Sequence, residues 1–158
     1  MTKVCYPGSF DPLSNGHLDI IERICKQFDD VTILIANNKQ KHYLFSASER
    51  KEMIEEVLKD YKNVKVVIFD GLVVKFCKEN NINLLVRGLR NIQDYENEFN
   101  LYQFNKDLEE SIETILLFPS SKTQMVSSSA IKELISFNAD ISKYVPAVLK
   151  DKIISKFK

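Results

Sequence analysis

Residues 5–21 read CYPGSFDPLSNGHLDII. A short β-forming run ends in Cys5 and Tyr6. A turn follows that holds two of the four glycines and one of the two histidines, and an apolar helical period begins near His17. The stretch is therefore a strand, a tight turn and a helix in succession. The same alternation continues outward from it. Runs rich in β-branched and apolar residues at 4–6, 31–36, 64–69, 83–86 and 114–118 predict five strands. Segments of helical period at 17–28, 47–61, 72–79 and 95–110 lie between them, and two more, 128–136 and 146–157, follow the last strand. The second helix opens on Ser46-Ala47-Ser48-Glu49, a hydroxyl answered by a carboxylate, which is a capping box. Strands separated by helices need crossover connections, and these give a parallel sheet covered on both faces. The expected fold is α/β: a Rossmann-like, doubly wound five-stranded parallel sheet with helices on both faces, formed as a single domain over residues 1–158.

Composition bounds the function. With 22 basic and 22 acidic residues the net charge is zero, so there is no broad basic face for nucleic acid, and the expected partner is a small molecule. Cys5, Cys25 and Cys77 are odd in number, far apart and outside any CxxC pattern, which speaks against a disulfide framework and against a zinc site. Met1-Thr2-Lys3 runs straight into a strand, and no apolar run reaches membrane-spanning length, so a cytoplasmic location without membrane attachment is expected.

In a doubly wound sheet, ligands bind beyond the carboxyl ends of the strands, near the reversal of strand order. Unusual polar residues gather at those ends. Pro7-Gly8-Ser9-Phe10-Asp11-Pro12 follows the first strand and Asn37-Asn38-Lys39-Gln40-Lys41-His42 the second. Arg87-Gly88-Leu89-Arg90-Asn91 follows the fourth and Pro119-Ser120-Ser121-Lys122-Thr123 the fifth, while Asp70-Gly71 after the third is short and less telling. Gly8 would let the backbone approach a ligand closely, and Ser9 offers a hydroxyl. Gly16 and His17 sit at a helix start, where free N–H groups and the dipole attract phosphate. An imidazole there stays neutral yet still donates one N–H, serving either as a cap or as a ligand donor. The spacing matches neither GxGxxG nor GxxxxGK[ST]. Two arginines around Gly88 suit bidentate contacts to phosphate, and the serines of 127–129 supply hydroxyls and amides at another helix start. Taken alone, His17 divides between cap and ligand donor, while the arginines and Lys41 read as solvated loop and the serines as a helix cap; together they place four anion-binding loops at one edge of one sheet.

YPGSFDPLSNGH, RGLRN and VSSSAIKE, in that order, closely resemble the bacterial phosphopantetheine adenylyltransferases, over the whole chain from Lys3 to the last helix. Ser14-Asn15-Gly16-His17 resembles the [T/H]xGH signature of the nucleotidyltransferase superfamily, and Val126-Ser127-Ser128-Ser129 its ISSS/T signature. The resemblance implies transfer of the adenylyl group of ATP to 4′-phosphopantetheine, giving dephospho-coenzyme A and pyrophosphate with Mg²⁺ assistance. It implies catalysis by His17 and phosphate contacts from Ser9 and the backbone of Phe10, with Ser9 serving both substrates. ATP would be held by Gly88, Leu89, Arg90 and Glu98, and covered by Thr123, Gln124, Met125, Val126, Ser127, Ser128 and Ser129. Phosphopantetheine would contact Lys41, Val73 and Arg87. No protein ligand to a metal is assigned. A homohexamer and feedback inhibition by coenzyme A are further family expectations. Ser9, Val126 and Lys132 stand where threonine, isoleucine and arginine are common, with hydroxyl, apolar and basic character kept. Nicotinate mononucleotide or a polyol phosphate as acceptor, and a fold that binds nucleotide without turnover, are the rival readings. RGLRN speaks against the first, and the intact His17 and serine loop against the second. The helix at 95–110 has more apolar surface than one core contact needs, which fits either deep burial or subunit contacts.

Overall fold

The computed structural model describes residues 1–121, 123 and 126–158; Gln124 and Met125, two of the expected nucleotide contacts, lie outside them. Five strands form one all-parallel sheet: β1 (Lys3–Gly8), β2 (Asp30–Ala36), β3 (Val64–Phe69), β4 (Leu84–Gly88) and β5 (Glu113–Leu117), in the order β3-β2-β1-β4-β5. The helices are α1 (Asn15–Gln27), α2 (Ala47–Leu58), α3 (Val73–Glu79), α4 (Ile92–Leu108), α5 (Ser128–Ser136) and, after a 3₁₀ turn at Ala147–Leu149, α6 (Lys150–Ser155). The expected doubly wound sheet is the observed one.

Alternation along the strands builds two cores. Val4, Tyr6, Val31, Ile33 and Ile35 face α1, α2, α5 and α6, and meet Ile21, Ile24, Ile54, Ile131 and Ile153. Cys5, Leu34 and Leu85 face α3 and meet Val74, Phe76 and Cys77. A sheet buried on both sides explains the nearly unbroken apolar runs of β1 and β2. The chain winds outward from β1 through β2 to β3, then returns through α3 to β4 on the other side of β1. The strand order therefore reverses between β1 and β4, and the crevice falls beyond Gly8 and Gly88.

Several element boundaries differ from expectation. β4 runs two residues further than predicted, so Arg87 and Gly88 are strand residues in register with Leu116 and Leu117 rather than loop residues. The last predicted helix breaks into a 3₁₀ turn and a shorter α-helix after Pro146. α4 starts earlier than predicted because Asn91 caps it, its side chain accepting from the Asp94 N–H at 2.9 Å. Deep burial of α4 is also corrected. Only Asn105 is buried, while Tyr95, Phe99, Leu101, Phe104 and Leu108 are between 41% and 66% exposed.

Candidate active site

Two adjoining clefts open at the carboxyl ends of β1 and β4. The first, about 260 Å³, lies over the starts of α1 and α5; the second, about 670 Å³, lies over the ends of β2 and β3. Their common wall is Pro7, Gly8, Ser9 and Arg87.

The first cleft is built from helix starts and an arginine. Ser14 caps α1: its hydroxyl accepts from the His17 N–H at 3.2 Å, and its own backbone N–H donates to His17 Nδ1 at 3.1 Å. A histidine thus takes the place that glutamate holds in the usual capping box. The tautomer follows from this bond. An amide N–H can only donate, so Nδ1 is the acceptor, and the single proton of the neutral ring sits on Nε2. Burial, with help from the charges of Arg90 and Arg87, pulls the His17 pKa down to about 4. His17 is a neutral Nε2–H donor at pH 7, held edge-on to Phe10 with ring centroids 5.1 Å apart. Among the described residues the Gly16 N–H meets no acceptor, while the Asn15 N–H is taken by the Tyr144 carbonyl at 2.8 Å.

At the start of α5 the serine hydroxyls have structural duties. Ser127 caps the helix through the Ala130 N–H at 3.1 Å, and Ser128 donates to the Pro12 carbonyl at 2.8 Å. Their value to an anion therefore lies in the helix-start amides more than in the hydroxyls. Arg90 forms a two-pronged pair with Asp94, Nε to Oδ2 at 2.8 Å and a terminal nitrogen to Oδ1 at 3.2 Å. Burial opposes the charge on Asp94, but the bonds from Arg90 outweigh it and hold the carboxyl below its ordinary pKa.

Arg87 joins the clefts. Its Nε and one terminal nitrogen grip Glu98 at 2.8–3.0 Å, and the other terminal nitrogen donates to the Pro7 carbonyl at 2.7 Å. Two residues that sequence resemblance gives to different substrates are thus a single bidentate pair on the shared wall. The second cleft mixes characters: Lys39 and Lys41 on its rim, Leu72, Val73 and Leu101 on its apolar side, Asn37 and Asn105 as amides. Among the described residues the Lys41 ammonium has no carboxylate partner. Asp70 and Gly71, the short and less telling loop of the sequence, line this cleft as well.

Ser9, His17, Gly88, Arg90, Glu98, Val126, Ser127 and Ser128 thus line the first cleft, and Ser9, Lys41, Val73 and Arg87 the second. Phe10, Leu89, Thr123 and Ser129 line neither. Leu89 is buried with its N–H on the Leu117 carbonyl at 2.9 Å, and the Thr123 hydroxyl donates to the Ser120 carbonyl at 3.0 Å. Ser120 in turn is pinned to α1, giving its N–H and hydroxyl to Asp19 at 2.9 and 2.7 Å. Gly8 has another reason than ligand approach: a Cβ there would stand 2.9 Å from Cζ of Phe10. Sequence reasoning passed over Asp94, and gave Ser14 and Asn37 no role of their own within the motifs that hold them. Ser14-x-x-His17 and Asn91-x-x-Asp94 were readable as caps.

A polar crevice with two helix starts, two arginines and a neutral imidazole, opening into a half-apolar cleft, is suited to hold a polyphosphate beside a second, amphipathic substrate. The comparisons agree. The family described as cytidylyltransferase-like matches residues 5–134, so the chain is a cytidylyltransferase-like nucleotidyltransferase. It is 42% identical over 156 residues to the phosphopantetheine adenylyltransferase of Natranaerobius thermophilus, spanning 99% of this chain and 96% of that one. To the enzyme of the same name from Clostridium beijerinckii it is 44% identical, spanning 99% and 98%. The chain belongs to the phosphopantetheine adenylyltransferases. A crystal structure from Vibrio parahaemolyticus, described as a nicotinate-nucleotide adenylyltransferase, superposes with a TM-score of 0.68 at 16% identity over 98% of this chain and 99% of that one; this likeness is one of fold.

Proposed function

We infer that the chain transfers the adenylyl group of ATP to 4′-phosphopantetheine, giving dephospho-coenzyme A and pyrophosphate, the penultimate step of coenzyme A biosynthesis. The observation that carries this reading is the shared wall, with Ser9 and Arg87 belonging to both clefts. ATP takes the first cleft, its phosphates near Gly16, Arg90 and the start of α5. Phosphopantetheine takes the second, its phosphate toward Lys41 and Arg87 and its arm along Val73 and Leu101. The acceptor phosphate is already an anionic nucleophile, so no serine, cysteine or strong base is needed, and catalysis rests on positioning and charge stabilisation. In-line attack on the α-phosphorus raises negative charge on its non-bridging oxygens. The neutral His17, its Nδ1 fixed by Ser14, donates from Nε2 to that charge, and pyrophosphate leaves toward Arg90.

Among the described residues no three metal-binding side chains converge, and the carboxylates of Asp94 and Glu98 are each held by an arginine. Mg²⁺ would enter as the ATP complex, held mainly by the substrate phosphates. Coenzyme A carries the same pantetheine arm and would compete in the second cleft as an inhibitor. The uncovered apolar face of α4, with Tyr95 stacked on Phe99 at 6.2 Å, supports assembly of copies of the chain, a homohexamer by family resemblance. No described helix is long and apolar enough to cross a membrane, and the cytoplasm is the proposed location.

Pyrophosphate release from ATP and Mg²⁺ tests the reading when 4′-phosphopantetheine, nicotinate mononucleotide and a polyol phosphate are compared as acceptors. Release dependent on phosphopantetheine is expected. Equal or greater release with either other acceptor refutes the assignment.

A further inference from the structure

Arg50, on α2, is 1% exposed and lines neither cleft. Among the described residues no carboxylate lies within ion-pair distance of it. The Asp11 carboxylate favours the charge from beyond that distance, Nε donates to the Ser46 carbonyl at 3.4 Å, and the terminal nitrogens are used on the binding loops. One terminal nitrogen donates to the Ser9 carbonyl at 2.8 Å, and the other to Asn37 Oδ1 at 2.8 Å. The guanidinium carbon stands 4.0 Å over the ring of Tyr43. Asn37 passes the connection on, its side-chain N–H donating to Asp70 at 2.8 Å. One side chain therefore fastens the loops after β1, β2 and β3 to each other.

The bond to Ser9 has the sharper consequence. The Ser9–Phe10 peptide is trans, so its C=O and N–H point in opposite directions. With the carbonyl drawn back to Arg50, the Phe10 N–H is turned away from Arg50. Phe10 is 2% exposed, and among the described residues this N–H meets no acceptor. Phe10 also has φ 50°, a left-handed conformation that a bulky side chain rarely adopts, so the turn keeps its shape only while its surroundings hold it, and the Arg50 bond to the Ser9 carbonyl is one such hold.

We propose that Arg50 is a positioning residue which, by locking the Ser9–Phe10 peptide, fixes Ser9 on the wall shared by both clefts, and which joins Ser9 to the loops of the second cleft. The proposal rests on the transfer reaction inferred above. Arg50 touches no substrate; it acts through Ser9 and Asn37.

The test uses Arg50→Met and Arg50→Lys in the full chain, each checked for folding by thermal melting. Lysine keeps a charge but cannot reach the Ser9 carbonyl and Asn37 together, so it carries the test if the methionine variant does not fold. Misplacing Ser9 on the shared wall should lower kcat roughly 10- to 100-fold, with the Kd for ATP within about 3-fold and partial rescue by lysine. In ¹⁵N–¹H spectra the Phe10 amide should shift on addition of inorganic pyrophosphate to the native chain, and shift much less in the variants. A folded variant with native kcat, or a Phe10 amide that responds to pyrophosphate equally in all three proteins, overturns the proposal. The pyrophosphate titration needs no acceptor, so it judges Arg50 even if the native chain fails to use phosphopantetheine, an outcome that would count against the inferred reaction alone.

Discussion

Replacing His17 by alanine separates the two duties that the ring performs. The Nε2–H donor is lost, and removing one donor to a developing oxyanion typically costs ~10²–10³ in kcat, about 3–4 kcal/mol. ATP binding should weaken only a few-fold, because the contact strengthens as charge builds in the transition state. The Nδ1 acceptor is lost as well, leaving the Ser14 N–H unpaired, for about 1 kcal/mol of stability. Acid stability supplies a third readout. The folded pKa of about 4 lies below the unfolded value near 6.5, so the unfolded chain takes up the proton first as pH falls. The stability linked to His17 is fully present above about pH 6.5 and is lost progressively toward pH 4. Between pH 7.5 and 5 the native chain should therefore lose about 2 kcal/mol more than His17→Ala, measured by urea unfolding at each pH. Single-turnover kinetics, ATP titration and the two unfolding series together check the account. An unchanged kcat refutes the donor role, and identical pH dependence of stability in the two proteins refutes the depressed pKa.

Two further outcomes follow from the geometry. Arg87→Ala should raise the KM for phosphopantetheine more than that for ATP, and because it strands the Glu98 carboxylate in a partly buried place it should also lower stability by about 1–3 kcal/mol; Arg87→Ala combined with Glu98→Ala should recover part of that stability. A glutamate in place of Phe104, which is 66% exposed on α4, should leave the melting temperature nearly unchanged but reduce the molar mass found by analytical ultracentrifugation; an unchanged mass removes this face from assembly.

The fold was legible because its signals are local and repeated. Five short apolar runs, each followed by a helical period, leave a parallel sheet as the consistent arrangement, and the strand-end rule then gathers Ser9, His17, Lys41 and Arg90 at one edge. Pairings across the sheet were not legible. Arg87 and Glu98 lie eleven residues apart, on β4 and α4, and only the tertiary packing of those elements aligns the fork with the carboxylate. The exposure of α4 escaped because an apolar stripe records that a face is covered, not whether its own chain or another covers it. Arg50 left a trace: with Met53 and Ile54 it falls on the buried face of α2, and a charge at a core position is the pattern of a residue with designated acceptors. Gly8 has a second neighbour that the sequence did not show, since beside the clefts it lines it also leaves room for the Phe10 ring.

The central claim is direct transfer between two substrates that meet at Ser9, with no covalent adenylyl-enzyme. The stereochemistry at the α-phosphorus tests it, using ATP carrying sulfur at one non-bridging α-position and 4′-phosphopantetheine as acceptor, with ³¹P NMR of the thio product. A single in-line displacement predicts inversion of configuration. Retention would require two displacements through an enzyme nucleophile and would contradict the account.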